Sequence, residues 1–215
     1  MIERSWWPDW HDDACVIVAS GPSAKDAPLD TIRGRMRVVA VNSSWRLVPW
    51  ADALYACDYS WWRNNEGCPD FAGMKLTTDH RTMRHKWGIR QIDLRRDDRI
   101  VFTPVGTVGW GGNSGFQALN AVVQFGVKRI ALVGFDATVA HGIHWHGPHP
   151  SGLNNPKDTT VIRWRRALDN AAKPLAEAGV TVINCSSVSA LTKYPKMEFA
   201  DAVDVLLAPV PLVAA

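Results

Sequence analysis

Short unbroken apolar runs recur along the chain at residues 15–19, 36–41, 53–56, 100–102, 129–133 and 180–183. Apolarity that is continuous rather than alternating predicts strands covered on both faces, as in a parallel sheet. Between the runs lie helical patterns. Residues 114–125 place Phe116, Leu119, Val122 and Val123 on one stripe, with Gly126 as a stop. A longer helix, capped at Thr159 or Thr160 and reaching Ala178, repeats Val161, Trp164, Leu168, Ala171 and Leu175 at 3–4 spacing, with Trp164 in its buried stripe. Strand–helix alternation of this kind predicts an α/β fold: a Rossmann-like, doubly wound, mainly parallel sheet in one domain spanning 1–215.

Two stretches depart from the pattern. Residues 60–99 are rich in charge and tryptophan, and residues 137–158 are rich in His, Gly and Pro with no clear element. A segment as long as 137–158 inside a compact domain is expected to act as a lid or binding loop. Residues 200–215 read as a short helix followed by a Pro-containing apolar extension.

Composition narrows the class. The 215 residues are 47% apolar and 21% charged, which fits a folded globular domain and excludes a disordered one. A net charge of +3 suits a small anionic ligand and gives little support to a long polyanion, so nucleic acid enters only as a conceivable acceptor. No secretory signal is visible, and the apolar run from 205 to 215 is too short and too broken by Pro209 and Pro211 to span a bilayer. Cys15, Cys57, Cys68 and Cys185 form no CxxC pair, so reduced thiols and a cytoplasmic location are expected. The unusual count is 11 Trp against 3 Tyr and 6 Phe. Trp6, Trp7 and Trp10 are expected to fasten the N-terminal segment, while Trp61, Trp62, Trp110 and Trp145 fall near the strand ends and could stack on a sugar or base.

In a doubly wound sheet, ligands bind beyond the carboxyl ends of the strands. The first strand ends in Ser20-Gly21-Pro22-Ser23, the second at Asn42 and the third at Asp58. Glycine permits close backbone approach, and short amide or carboxylate side chains either hold a ribose or base edge or cap a turn. No GK[ST] or GxGxxG pattern is present. Residues 106–115 carry five glycines and lead through Asn113-Ser114-Gly115 into a helix whose N-terminus attracts phosphate. The fifth strand is followed by Gly134-Phe135-Asp136, and then by His141, His144, His146 and His149. This H-x2-H-x-H-x2-H spacing is open to three readings: a zinc set, a solvated loop, or a general base. No metal ligand is assigned.

Taken in order, residues 16–23, 38–42 and 54–58, then 113–119 and 129–136, resemble the nucleotide-binding half of bacterial CMP-sialic acid-dependent sialyltransferases. They also resemble a broader group that includes hydroxymethylpterin diphosphokinase-like proteins and phage-borne relatives. The similarity runs from about Val16 to Ser187. It implies that Gly21, Pro22 and Ser23 approach a donor phosphate, that Asn42 and Asp58 meet nucleotide or sugar, and that Asn113, Ser114, Gly115 and Asp136 complete the donor site. Asp58 stands where the sialyltransferases have asparagine, and residues 137–158 lack their tyrosines. The family's catalytic histidine matches His149 best, with His146 and His144 behind it. The implied activity is transfer from a nucleotide-activated donor of the CMP- or UDP-sugar class to an unspecified acceptor, with a histidine base. The alternatives are an ATP- and magnesium-dependent diphosphokinase using Asp58 or Asp136, a nucleic-acid-modifying transferase, a zinc hydrolase on the histidine loop, or a nucleotide-binding domain without catalysis. Homo-oligomerisation through the C-terminal extension is left open.

Overall fold

The computed structural model describes residues 5–81, 84–149 and 152–209. The first strand, β1 (Ala14–Val18), is buried at every position. Its neighbours on one side follow in chain order: β2 (Arg37–Val41), β3 (Ala53–Tyr55), then, after helix α1 (Tyr59–Asn64), β4 (Met74–Thr77), and after helix α2 (Arg84–Trp87), β5 (Ile89–Gln91). The short strands β6 (Asp93–Arg95) and β7 (Thr107–Gly109) pair with each other in a separate two-stranded sheet. Helix α3 (Ser114–Gln124) then returns the chain to the far side of β1, where β8 (Arg129–Val133), helix α4 (Asp158–Glu177), β9 (Thr181–Asn184) and helix α5 (Phe199–Leu207) complete the fold. The main sheet has the order β5-β4-β3-β2-β1-β8-β9 and is parallel throughout. This is a Rossmann-like α/β architecture.

Alternation along the central strands divides the apolar side chains between two cores. Cys15, Ile17, Val39, Val41, Ile130 and Leu132 face α3 and α4, meeting Phe116, Leu119, Val122, Leu168, Ala171 and Leu175. Val16, Val18, Val38, Ala40, Ala131 and Val133 face the other way, against Trp62, Phe199, Val203 and Leu206 from α1 and α5. Both faces are therefore covered, which explains the unbroken apolar runs. The N-terminal tryptophans fasten the chain end: Trp7 and Trp10 each meet Phe125 edge-on at 4.9 Å, and the Trp10 N–H donates to the Phe125 carbonyl at 2.7 Å.

Four expectations change. Residues 100–102 are not a strand; the Val101 N–H and carbonyl are bonded instead by the Asn120 side chain, at 2.9 and 2.8 Å. Residues 60–99 hold β4, β5 and β6, which are too short and too polar on one side to stand out. The long helix begins at Asp158, and Thr160 serves its cap by accepting the Lys157 N–H at 2.9 Å. Trp164 is only half-buried on α4 and faces a cavity instead of the core. The expected C-terminal extension lies, from residue 210 onward, outside the described residues. Among the described residues, no helix is long and apolar enough to cross a membrane.

Candidate functional site

The order of strands reverses between β1 and β8, the place where a doubly wound sheet leaves a crevice at its carboxyl edge. A cavity of about 600 Å³ opens there, a volume suited to a small organic ligand. The ends of β1, β2, β3 and β8 form its floor, the first turn of α3 one side, and residues from 137–149 and 153–157 with the start of α4 the other.

The floor is built by close backbone approach. The Ala19 N–H donates to the Val133 carbonyl at 2.8 Å and the Gly21 N–H to the Gly134 carbonyl at 2.9 Å, extending the β1–β8 pairing past both strands. A Cβ on Gly21 would stand 2.5 Å from the Gly134 oxygen and 2.6 Å from the Asp136 Cγ, so glycine is needed for this packing alone. Gly21 lines the cavity, whereas Pro22 and Ser23 lie behind it. Ser23 is buried, and both its N–H (3.0 Å) and its hydroxyl donate to the Asp136 carboxylate. Burial pushes the Asp136 carboxyl above its ordinary range, opposed by those two bonds.

Asn42 follows β2 in the left-handed region (φ 51°) and lines the floor, its buried Oδ1 lacking a protein partner. Asp58 follows β3 and opens onto the same space. Its carboxyl is raised, chiefly because the cavity walls desolvate it. Asn113 caps α3, accepting the Phe116 N–H at 2.8 Å. Ser114 accepts the Cys57 N–H and donates to the Cys57 sulfur, both at 3.1 Å. With Gly115, these residues turn the first turn of α3 toward the cavity. Nine of the twelve sequence-derived site residues, counted with the histidines, thus touch the cavity; Pro22, Ser23 and His146 stand behind it.

The histidine loop is held at two points. Trp145 packs on the α1–α5 core, its N–H donating to the Ser20 carbonyl at 3.0 Å and its indole N–H to the Ser44 hydroxyl at 3.3 Å. The His149 N–H donates to Asn155 Oδ1 at 2.7 Å. Around these anchors His144, His146 and His149 come together, with ring centroids 5.0, 4.5 and 5.1 Å apart and ligand atoms all within 4.8 Å. His141 stays exposed and outside the group. Burial is the main reason all three rings hold protons weakly: His144 is pushed down to about 4, and His146 and His149 are lowered as well. The charge of Arg46 adds to the effect on His146 and His149, while Asp58 opposes it at His149.

Of the four tryptophans expected near the site, Trp61 and Trp110 line the cavity, Trp62 is fully buried, and Trp145 is the loop anchor. Three contributors were not foreseen. Trp164 and Arg163 come from α4, and Cys57 supports Ser114. The Arg163 guanidinium lies over the Trp110 ring at 4.0 Å while donating to Asp98 at 2.9 Å. An arginine on the outward side of a helix pattern carries no sequence signal for this placement. The four cysteines are free thiols. In comparisons with known proteins, the chain matches no family model, no curated protein and no solved structure.

Proposed function

We propose that the cavity receives a nucleotide-activated donor and that the protein is a transferase of the glycosyltransferase type. The observation that carries this reading is the meeting of two unlike chemistries in one cavity: the first turn of α3 on one side and the histidine cluster on the other. The partial positive charge of the α3 N-terminus suits the donor phosphate and the charge that grows on it as the leaving group departs. Lys157 adds to that field, and the exposed Trp110 and half-buried Trp164 offer ring surface to a sugar or base. The acceptor oxygen loses its proton at the histidine cluster, where His149 lines the cavity in the field of Asp58.

A diphosphokinase would ask Asp58 and Asp136 to face a magnesium ion. Asp136 lines the cavity with both of its oxygens already accepting from Ser23, which leaves Asp58 as the better placed of the pair. The residues fit the magnesium reading poorly, which favours the transferase.

The test is turnover of a panel of CMP- and UDP-sugars by wild type and His149→Ala. We expect a loss of about 10²–10⁴-fold in the variant, the range for removing a group that handles a proton. An equal rate in the two proteins would overturn the role of His149. Absence of turnover, together with no thermal stabilisation by CMP or UDP, would overturn the donor class.

A further inference from the structure

A single base needs one imidazole, whereas this loop brings three together. Their ligand atoms lie within 4.8 Å of one another, and the Nε2 atoms of His144 and His146 are buried with no hydrogen-bond partner. A buried ring nitrogen left unpaired is costly, so two side by side on an anchored loop call for a common partner. We propose that His144, His146 and His149 form a three-nitrogen site for a zinc-class divalent transition-metal ion at the wall of the cavity.

The donor set fits such an ion. Imidazole nitrogen suits zinc, copper, nickel and iron, while magnesium and calcium prefer oxygen. Three histidines with a fourth position left open are a common catalytic zinc arrangement. Nitrogens bound about 2.0–2.1 Å from one ion stand about 3.3 Å from each other. The rings therefore draw inward on binding, a movement available to side-chain rotation around the anchors at Trp145 and Asn155. Of the charges nearby, Arg46 opposes a cation and Asp58 favours one. Trp145, between the ligands in sequence, meets the His146 ring edge-on at 5.1 Å and turns its indole N–H to Ser44.

Binding of the ion stands on these residues alone. Its use rests on the reading of the cavity as a transfer site: with the ion in place, His149 would serve as a ligand, the open coordination position would polarise the acceptor oxygen, and the proton that oxygen gives up would pass to the Asp58 carboxylate, which faces the same cavity.

The test uses the full chain without a histidine tag, stripped by a chelator and dialysed. Titration with Zn²⁺ against a chromophoric chelator is expected to show one ion per chain at micromolar affinity or tighter. Cobalt(II) loading should give the visible absorption of a four-coordinate nitrogen–oxygen site without a thiolate band. The variants His144→Ala and His146→Ala should each weaken binding by at least about 10–100-fold, while His141→Ala, outside the cluster, should match wild type. A circular dichroism spectrum and melting curve accompany each variant; if either cluster variant unfolds, the corresponding glutamine variant replaces it. No stoichiometric binding, or binding unchanged in both cluster variants, overturns the site. If no ion binds and His149→Ala still abolishes transfer, the metal site falls and the proposed function stands. If the ion binds through these histidines and no donor is turned over, the site stands and the transferase reading falls.

Discussion

Asn120→Ala is expected to destabilise the protein by about 3–5 kcal/mol, seen as a lower urea midpoint and a melting temperature lowered by about 10 °C. Asn120 is fully buried in the middle of α3, where polar residues are unusual. Its Oδ1 accepts the Val101 N–H and the Gly109 N–H, both at 2.9 Å, and its Nδ2 donates to the Val101 carbonyl at 2.8 Å. One side chain thus does for residues 101 and 109 what a neighbouring strand would otherwise do. Alanine leaves two buried N–H groups unpaired at about 1–3 kcal/mol each and adds a small void. The Val101 carbonyl keeps a bond from Gln124, at 2.7 Å, so the loss is partial on that side. Because β7 leads directly into the 110–115 turn, ligand binding should weaken along with stability. Lys173→Ala, on the exposed side of α4, should change stability by less than about 0.5 kcal/mol and serves as the control. A melting temperature for Asn120→Ala within a degree or two of wild type would show that solvent replaces the lost bonds.

Gly134→Ala is expected to cost about 3 kcal/mol or more and to abolish ligand stabilisation even below the melting temperature. Gly134 follows β8 at φ 71°, a region that costs an L-residue roughly 1–2 kcal/mol. An added Cβ would land on the Ala19 carbonyl oxygen and stand 2.8 Å from the Ala24 Cβ. The first is backbone and cannot rotate away. Relief requires the ends of β1 and β8 to separate, which breaks the Gly21-to-Gly134 bond and moves Asp136 away from Ser23. Differential scanning calorimetry with and without nucleotide measures both effects. A stable Gly134→Ala protein with unaltered ligand response would mean that this approach of backbones does not define the floor.

The centre of the sheet was legible because its chemistry is local. Residues 15–18, 37–41 and 129–133 are apolar at nearly every position, and burial on both faces permits little else. The outer strands were not legible for the complementary reason. Asp93–Arg95 is exposed at every position, so its sequence carries no period that a core would impose. Residues 100–102 misled because apolarity reports burial and not the identity of the hydrogen-bonding partner, which here is a side chain of α3. Most candidate site residues could be picked out by their place after a strand, but their partners could not. Ser23 and Asp136 are 113 positions apart, and nothing local says that each occupies the other. Trp164 shares its spacing with true core residues; only the gap between the strand ends and the histidine loop turns it into a wall of the cavity.

The histidine loop and the sheet meet through one tryptophan and a pair of serines. Ser44 donates to the Ala19 carbonyl at 2.9 Å, Ser20 donates to the Val41 carbonyl at 3.3 Å, and Trp145 is bonded to both residues. The spacing between the tips of β1 and β2 is therefore mechanically linked to the position of the three imidazoles. Loss of the Ser44 hydroxyl would therefore remove a tie to the sheet and a tie to the histidine loop at once.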